Sequence, residues 1–110
     1  MFLTINVDNF ESEVKKVKSP VLLACIHKGH GYKAQAKVLD NLMKNFDGKL
    51  KICLLDEEYK NAFKWLGIEG VPTYILFNKG KEKGRMLGKV DDKKLNAFIN
   101  KTLTKFSGTK

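Results

Sequence analysis

The sequence predicts an α/β fold: a central mixed five-stranded sheet, three parallel strands plus an antiparallel C-terminal hairpin, flanked by four helices. Three observations carry this. Strand-like and helix-like stretches alternate in the order β-α-β-α-β-α-β-β-α. Val21–Ile26 is apolar at every position, as expected of a strand covered on both faces. Asn78-Lys79-Gly80-Lys81 separates two strand-like runs and reads as a hairpin turn. Two right-handed crossovers build the parallel part. The chain of 110 residues suffices for one domain over residues 1–106, followed by a polar, flexible tail at 107–110.

Each element has its own signal. Leu3–Ile5 is a short strand. Asp8 with Glu11 three residues on suggests a capping box, and a first helix to about Val17 places Phe10, Val14 and Val17 on one face. Ser19-Pro20 breaks it before the apolar strand. From Gly31 to Phe46 a helix is predicted with the stripe Ala34, Val38, Leu39, Leu42, Met43 and Phe46. Asp47-Gly48 ends it, because glycine suits the position after a helix. Leu50–Leu55 is a strand, and Asp56-Glu57-Glu58 leads into a short helix burying Tyr59, Ala62, Phe63 and Leu66 and stopping at Gly67. Strands follow at Tyr74–Phe77 and Glu82–Leu87. Asp91-Asp92 then precede a final helix with Leu95, Phe98, Ile99, Thr102 and Leu103 on one face.

Composition excludes several classes. An apolar share of 43% fits a globular chain, and no run reaches the roughly 18–20 apolar residues of a membrane span. The N-terminus has no basic stretch followed by an apolar one, so the expected location is the cytoplasm. The two cysteines, Cys25 and Cys53, both lie in apolar strand runs, and no C-x-x-C exists. Neither a metal site nor a cofactor is expected: His27 and His30 lack further ligands at set spacing. The net charge of +9 comes from lysines spread along the chain and interleaved with acids, which is the pattern of a solvated surface rather than a nucleic-acid patch.

Several segments together resemble one family. They are Phe10 in the first helix, the strand Val21–Ile26, Phe46-Asp47-Gly48-Lys49-Leu50, the run Gly67-Ile68-Glu69-Gly70-Val71-Pro72-Thr73, the turn Asn78-Lys79-Gly80, and Gly88. In this order they are similar to thioredoxin, over nearly the whole chain. The resemblance implies the thioredoxin fold and a cis peptide bond at Val71–Pro72 facing the strand-to-helix corner. At that corner thioredoxins carry W-C-G-P-C-K, and this chain carries Lys28-Gly29-His30-Gly31-Tyr32-Lys33. The nucleophilic cysteine is replaced by Gly29 and the resolving cysteine by Tyr32. The family's buried Asp is replaced by Leu23 and its lysine neighbour by Leu54.

Thiolate attack by a dithiol is therefore absent from this corner, and with it protein-disulfide reductase activity. The expected function is a redox-inactive binding module, chaperone-like or assembly-factor-like, holding a protein or peptide near Pro72. Its groove would be Lys28, Gly29, His30, Gly31, Tyr32, Val71, Pro72, Thr73 and Gly88. The alternative is a thiol–disulfide oxidoreductase or redox-homeostasis protein acting through one thiol, Cys25. Alternation along the strands, counted from Leu23 and Leu54, puts Cys25 on one face of the sheet and Cys53 on the other. A monomer is expected, with neither membrane nor nucleic acid as partner.

Overall fold

A computed structural model describes residues 2–29, 31–46 and 48–107. The strands are β1 (Leu3–Ile5), β2 (Val21–Cys25), β3 (Lys51–Leu55), β4 (Thr73–Asn78) and β5 (Lys81–Leu87). They form one sheet in the order β1-β3-β2-β4-β5. The pairs β1–β3 and β2–β3 are parallel, and β2–β4 and β4–β5 are antiparallel. The helices are α1 (Tyr32–Phe46), α2 (Lys60–Trp65) and α3 (Asp92–Ser107), with a five-residue π-helical turn at Glu11–Lys15. Among the described residues this is the mixed five-stranded sheet with four helical segments that the sequence predicts.

Two apolar layers hold the sheet. One face packs Leu22, Ala24, Leu54, Tyr74 and Leu76 against Leu39 and Leu42 of α1 and Leu95 and Ile99 of α3. The other packs Leu23, Cys25, Cys53, Leu55 and Ile75 with Phe10 and Val14 and with Ala62 of α2. Every residue of β2 is fully buried, which is why its sequence shows no polar alternation. No helix among the described residues is long and apolar enough to cross a membrane.

Four local expectations are corrected. The first helix is only a π-helical turn, and no side chain caps it. Instead of an Asp8–Glu11 capping box, Asn9 takes the Asn6 amide on its side-chain oxygen at 2.8 Å and donates to the Thr4 carbonyl at 2.9 Å. Asn6 in turn accepts the Asp8 amide on its side-chain oxygen at 2.9 Å, the amide that Glu11 would have served in a capping box. The α1 stripe is rotated: Ala34 and Met43 are exposed, and Gln35 is buried in their place. Its side-chain oxygen accepts the Tyr74 hydroxyl, so a polar residue takes a core position with its partner supplied. The last helix includes Ser107, one residue into the predicted tail; residues 108–110, and Asp47 of the predicted helix stop, lie outside the described residues.

The fourth correction concerns the cysteines. The register pairs Leu23 with Cys53 and Ala24 with Leu54. Cys25 and Cys53 therefore share one face, contrary to the expectation built on Leu54. Both are reduced. They stand two residues out of register, a Cα separation of about 8 Å in a sheet, beyond the roughly 4.4–6.8 Å that a disulfide spans.

The hairpin tip is tied to the N-terminal part of the chain. Lys79 and Gly80 both have positive φ, 55° and 81°, the geometry of a two-residue turn matched to strand twist. A Cβ on Gly80 would stand 2.2 Å from the Lys15 carbonyl oxygen. Beside this seam, Trp65 meets Phe10 edge-on at 5.1 Å between ring centres. Gly80→Ala should therefore cost about 2 kcal/mol or more, from the clash with fixed backbone and the left-handed conformation together. Urea unfolding measures this, and a midpoint equal to wild type would refute the contact.

Candidate functional site

The C-terminal ends of β2 and β3 lie side by side because the strands are parallel neighbours. The loops that leave them, residues 26–29 and 56–59, are therefore adjacent. His27 and Glu57 face each other there, with Nδ1 to Oε1 at 2.7 Å, and the Lys28 amide donates to the other carboxylate oxygen at 2.9 Å. The Lys28 amide bond, with His27 beside it, holds the Glu57 carboxyl below the usual carboxylate range.

The third segment comes from the other side of β2. Cys25 is the antiparallel partner of Thr73, which follows a cis Val71–Pro72 peptide bond. Thr73 is buried, and its hydroxyl donates to the Gly70 carbonyl at 2.6 Å. Gly88, at φ 103°, donates its amide to the Pro72 carbonyl at 2.8 Å and turns the chain away from β5.

Two cavities open at this edge. One of about 340 Å³ is lined by Ile26, His27, Glu57, Phe63 and Val71. The other, about 220 Å³, is lined by Ile26, His27, Gly31, Gln35, Val71, Pro72 and Lys89. Of the sequence candidates, Gly31, Val71 and Pro72 line them. Lys28 contributes its amide, and Thr73 turns into a separate small cavity with Gly67, Glu69, Arg85 and Leu87. Tyr32 packs its ring against the α1–α3 layer. His30 lies outside the described residues. Among the described residues no group of His, Cys, Asp and Glu is arranged to hold a metal ion.

Sequence reasoning missed His27 with Glu57, Phe63, Gln35 and Lys89. The first pair was within reach. Parallel neighbours end at the same sheet edge, so the acidic run after β3 had to fall beside the loop after β2. By that topology His27 has an acid beside it.

The thiols differ in place. Cys25 ends β2; Cys53 lies mid-strand between β1 and β2. Burial pushes Cys25 up to about 12, opposed by the positive charge of Arg85. That guanidinium is held by both Glu82 carboxylate oxygens at 2.6 and 2.7 Å and by the Leu66 and Gly67 carbonyls. Burial likewise raises Cys53 to about 11, with Lys51 pulling down and Glu13 pushing up. Tyr74 is raised to about 12, again by burial first and by Cys25 second.

All three groups are held protonated by the fold and ionise more readily once unfolded. Their contribution to stability is complete below about pH 9, where an ordinary thiol begins to titrate, and is lost as pH rises toward 12. The urea midpoint should fall from about pH 9 upward, and Cys53→Ala should flatten the fall. An unchanged slope in that variant would show that the buried thiols do not cause it.

The thioredoxin family pattern matches residues 1–101. The chain is 33% identical to a thioredoxin of Pseudomonas aeruginosa over 94 residues, covering 84% of this chain and 87% of that protein. It is 32% identical to one of Allochromatium vinosum over 95 residues, 84% of this chain and 89% of that protein. A thioredoxin of Acidithiobacillus ferridurans is 28% identical over 103 residues, 92% and 95% of the two chains. These relatives bear the name of a redox protein, and that overturns the expectation of a redox-inactive binding module. The expectation rested on the missing dithiol and on the loss of the buried Asp and its lysine neighbour; the relatives favour its alternative, thiol–disulfide chemistry, instead.

Proposed function

The chain belongs to the thioredoxin family, and we propose that it performs thiol–disulfide chemistry in redox homeostasis through a single thiol, Cys25. The observation that carries this reading is the position of that residue. It closes the central strand beside Thr73, next to the cis Val71–Pro72 bond, and Ile26 and His27 of the adjoining loop line two open cavities. Cys53 lies mid-strand between β1 and β2 and is out of bridging distance of Cys25.

The chemistry has two exchanges. The Cys25 thiol gives its proton to solvent, and the thiolate attacks one sulfur of a substrate disulfide. A mixed disulfide forms as the substrate S–S bond breaks, and the other half leaves as a thiolate that takes up a proton. A second thiol, supplied from solution, then attacks the mixed disulfide at the substrate sulfur and returns Cys25 to the thiol form. Electrons pass from that second thiol to the original disulfide, and no intramolecular partner is needed.

Burial sets the rate. Burial pushes the Cys25 thiol up to about 12, so only a very small fraction is thiolate at pH 7. The adduct with a small disulfide, such as oxidised glutathione, should therefore form slowly and about tenfold faster per pH unit between pH 7 and 9. Mass spectrometry should find it on Cys25 in the wild type and in Cys53→Ser, and nowhere in Cys25→Ser. Modification of Cys25 only after denaturation would overturn the proposal.

A further inference from the structure

Gln35 is a polar side chain in an apolar layer, and only half of it is used. It is 8% exposed, and its oxygen accepts the Tyr74 hydroxyl. Its Nε2 has no partner among the described residues, where no buried polar side-chain atom is both sealed from solvent and unbonded. The NH2 group therefore faces open space, which is the 220 Å³ cavity that Gln35 lines. A donor so placed gains by meeting an acceptor, because leaving it unpaired in a buried setting is costly.

A second donor reaches the same cavity from another element. Lys89 follows the turn at Gly88, and its Nζ stands 3.9 Å from where a Cβ on Gly31 would lie. It lines the cavity with Gln35 and forms no ion pair among the described residues. No carboxylate among the described residues lines this cavity. Glu57 lines the neighbouring one, where its oxygens are taken by His27 and the Lys28 amide. Ile26, Val71 and Pro72 give the smaller cavity an apolar wall. It also adjoins the N-terminus of α1, whose partial positive charge favours an anion.

We propose that this cavity is a carboxylate subsite. Gln35 Nε2 donates a hydrogen bond, Lys89 supplies the opposite charge, and the apolar wall takes the short stem that carries the carboxylate. The ligand is a peptide carboxylate, from an acidic side chain or from the chain's C-terminal end. Two donors suit a monoanion, whereas a phosphate, with three strong acceptor oxygens and nearly two charges, would be left underpaired. The subsite serves recognition, goes beyond the exchange at Cys25 and holds whichever thiol reacts.

The test follows the Gln35 side-chain NH2 and the Lys89 backbone amide of the full chain by heteronuclear NMR at low ionic strength. The probes are N-acetylvaline for a chain end, the α-amide of N-acetylglutamate for an acidic side chain, N-acetylvalinamide as the uncharged control, and inorganic phosphate. At least one carboxylate should shift both signals saturably, and whichever does so names the source. The uncharged control should leave both signals in place. Lys89→Gln should weaken the binding about three- to tenfold. Gln35→Glu keeps an acceptor for the Tyr74 hydroxyl and should weaken it at least as much; its urea midpoint reports whether it is folded, and Lys89→Gln, at an exposed residue, decides the matter if it is not. No shift from either carboxylate, equal shifts from the uncharged control, tighter binding of phosphate, or carboxylate binding unchanged in Lys89→Gln or in folded Gln35→Glu would each overturn the subsite.

Discussion

The site depends on the double pairing of β2. This strand is parallel to β3 on one side and antiparallel to β4 on the other. The parallel pairing carries the ends of β2 and β3 to the same edge and so brings Glu57 to His27. The antiparallel pairing carries the start of β4 to the end of β2, setting Thr73 and the cis-proline bond beside Cys25. Side-chain alternation is fixed by the same hydrogen bonds, since a slip of one residue would move every side chain to the other face. The face occupied by Cys25, the neighbours of the corner and the placement of the cavities are three results of one register.

Much of this was legible in the sequence. The uninterrupted apolar run of β2, the hairpin at Lys79-Gly80 and the stop signals at Gly48 and Gly67 lead to the right element order, because each reports a local constraint on backbone or burial. What escaped was set by register or by a distant partner. Gln35 looks like a surface residue until Tyr74 is seen to offer it a hydroxyl. The face of Cys53 was misassigned because it was inferred from the place of Leu54 in a resemblance, whereas hydrogen bonding to β2 decides it. The π-helical turn at Glu11–Lys15 has an apolar periodicity that serves a full helix equally well, and the asparagine contacts that shape it leave no helix-type signal.

Function was less legible than fold because the most informative residues are absent ones. The glycine and tyrosine at the motif positions are strong evidence against dithiol chemistry and weak evidence about anything else. The structure changes the question from which thiol is missing to where the remaining thiols stand. Burial disfavours the thiolate at both; Cys25 ends β2, whereas Cys53 lies mid-strand in β3. Arg85, the cation that acts on Cys25, is already bonded to Glu82 and two backbone carbonyls.

The packing of Gly80 against the Lys15 carbonyl bears on engineering. By charge alone the hairpin tip is the obvious site for a tag or an inserted peptide, being basic, polar and glycine-containing. Yet it has no room on the side that faces the π-helical turn, and an insertion there would lever the fifth strand away from the body of the molecule. Gly48, at φ 80°, has the room the tip lacks, since an added Cβ would meet nothing within 4 Å, and an insertion that keeps this glycine, after α1 at the opposite end of the strands from the corner, would disturb less packing.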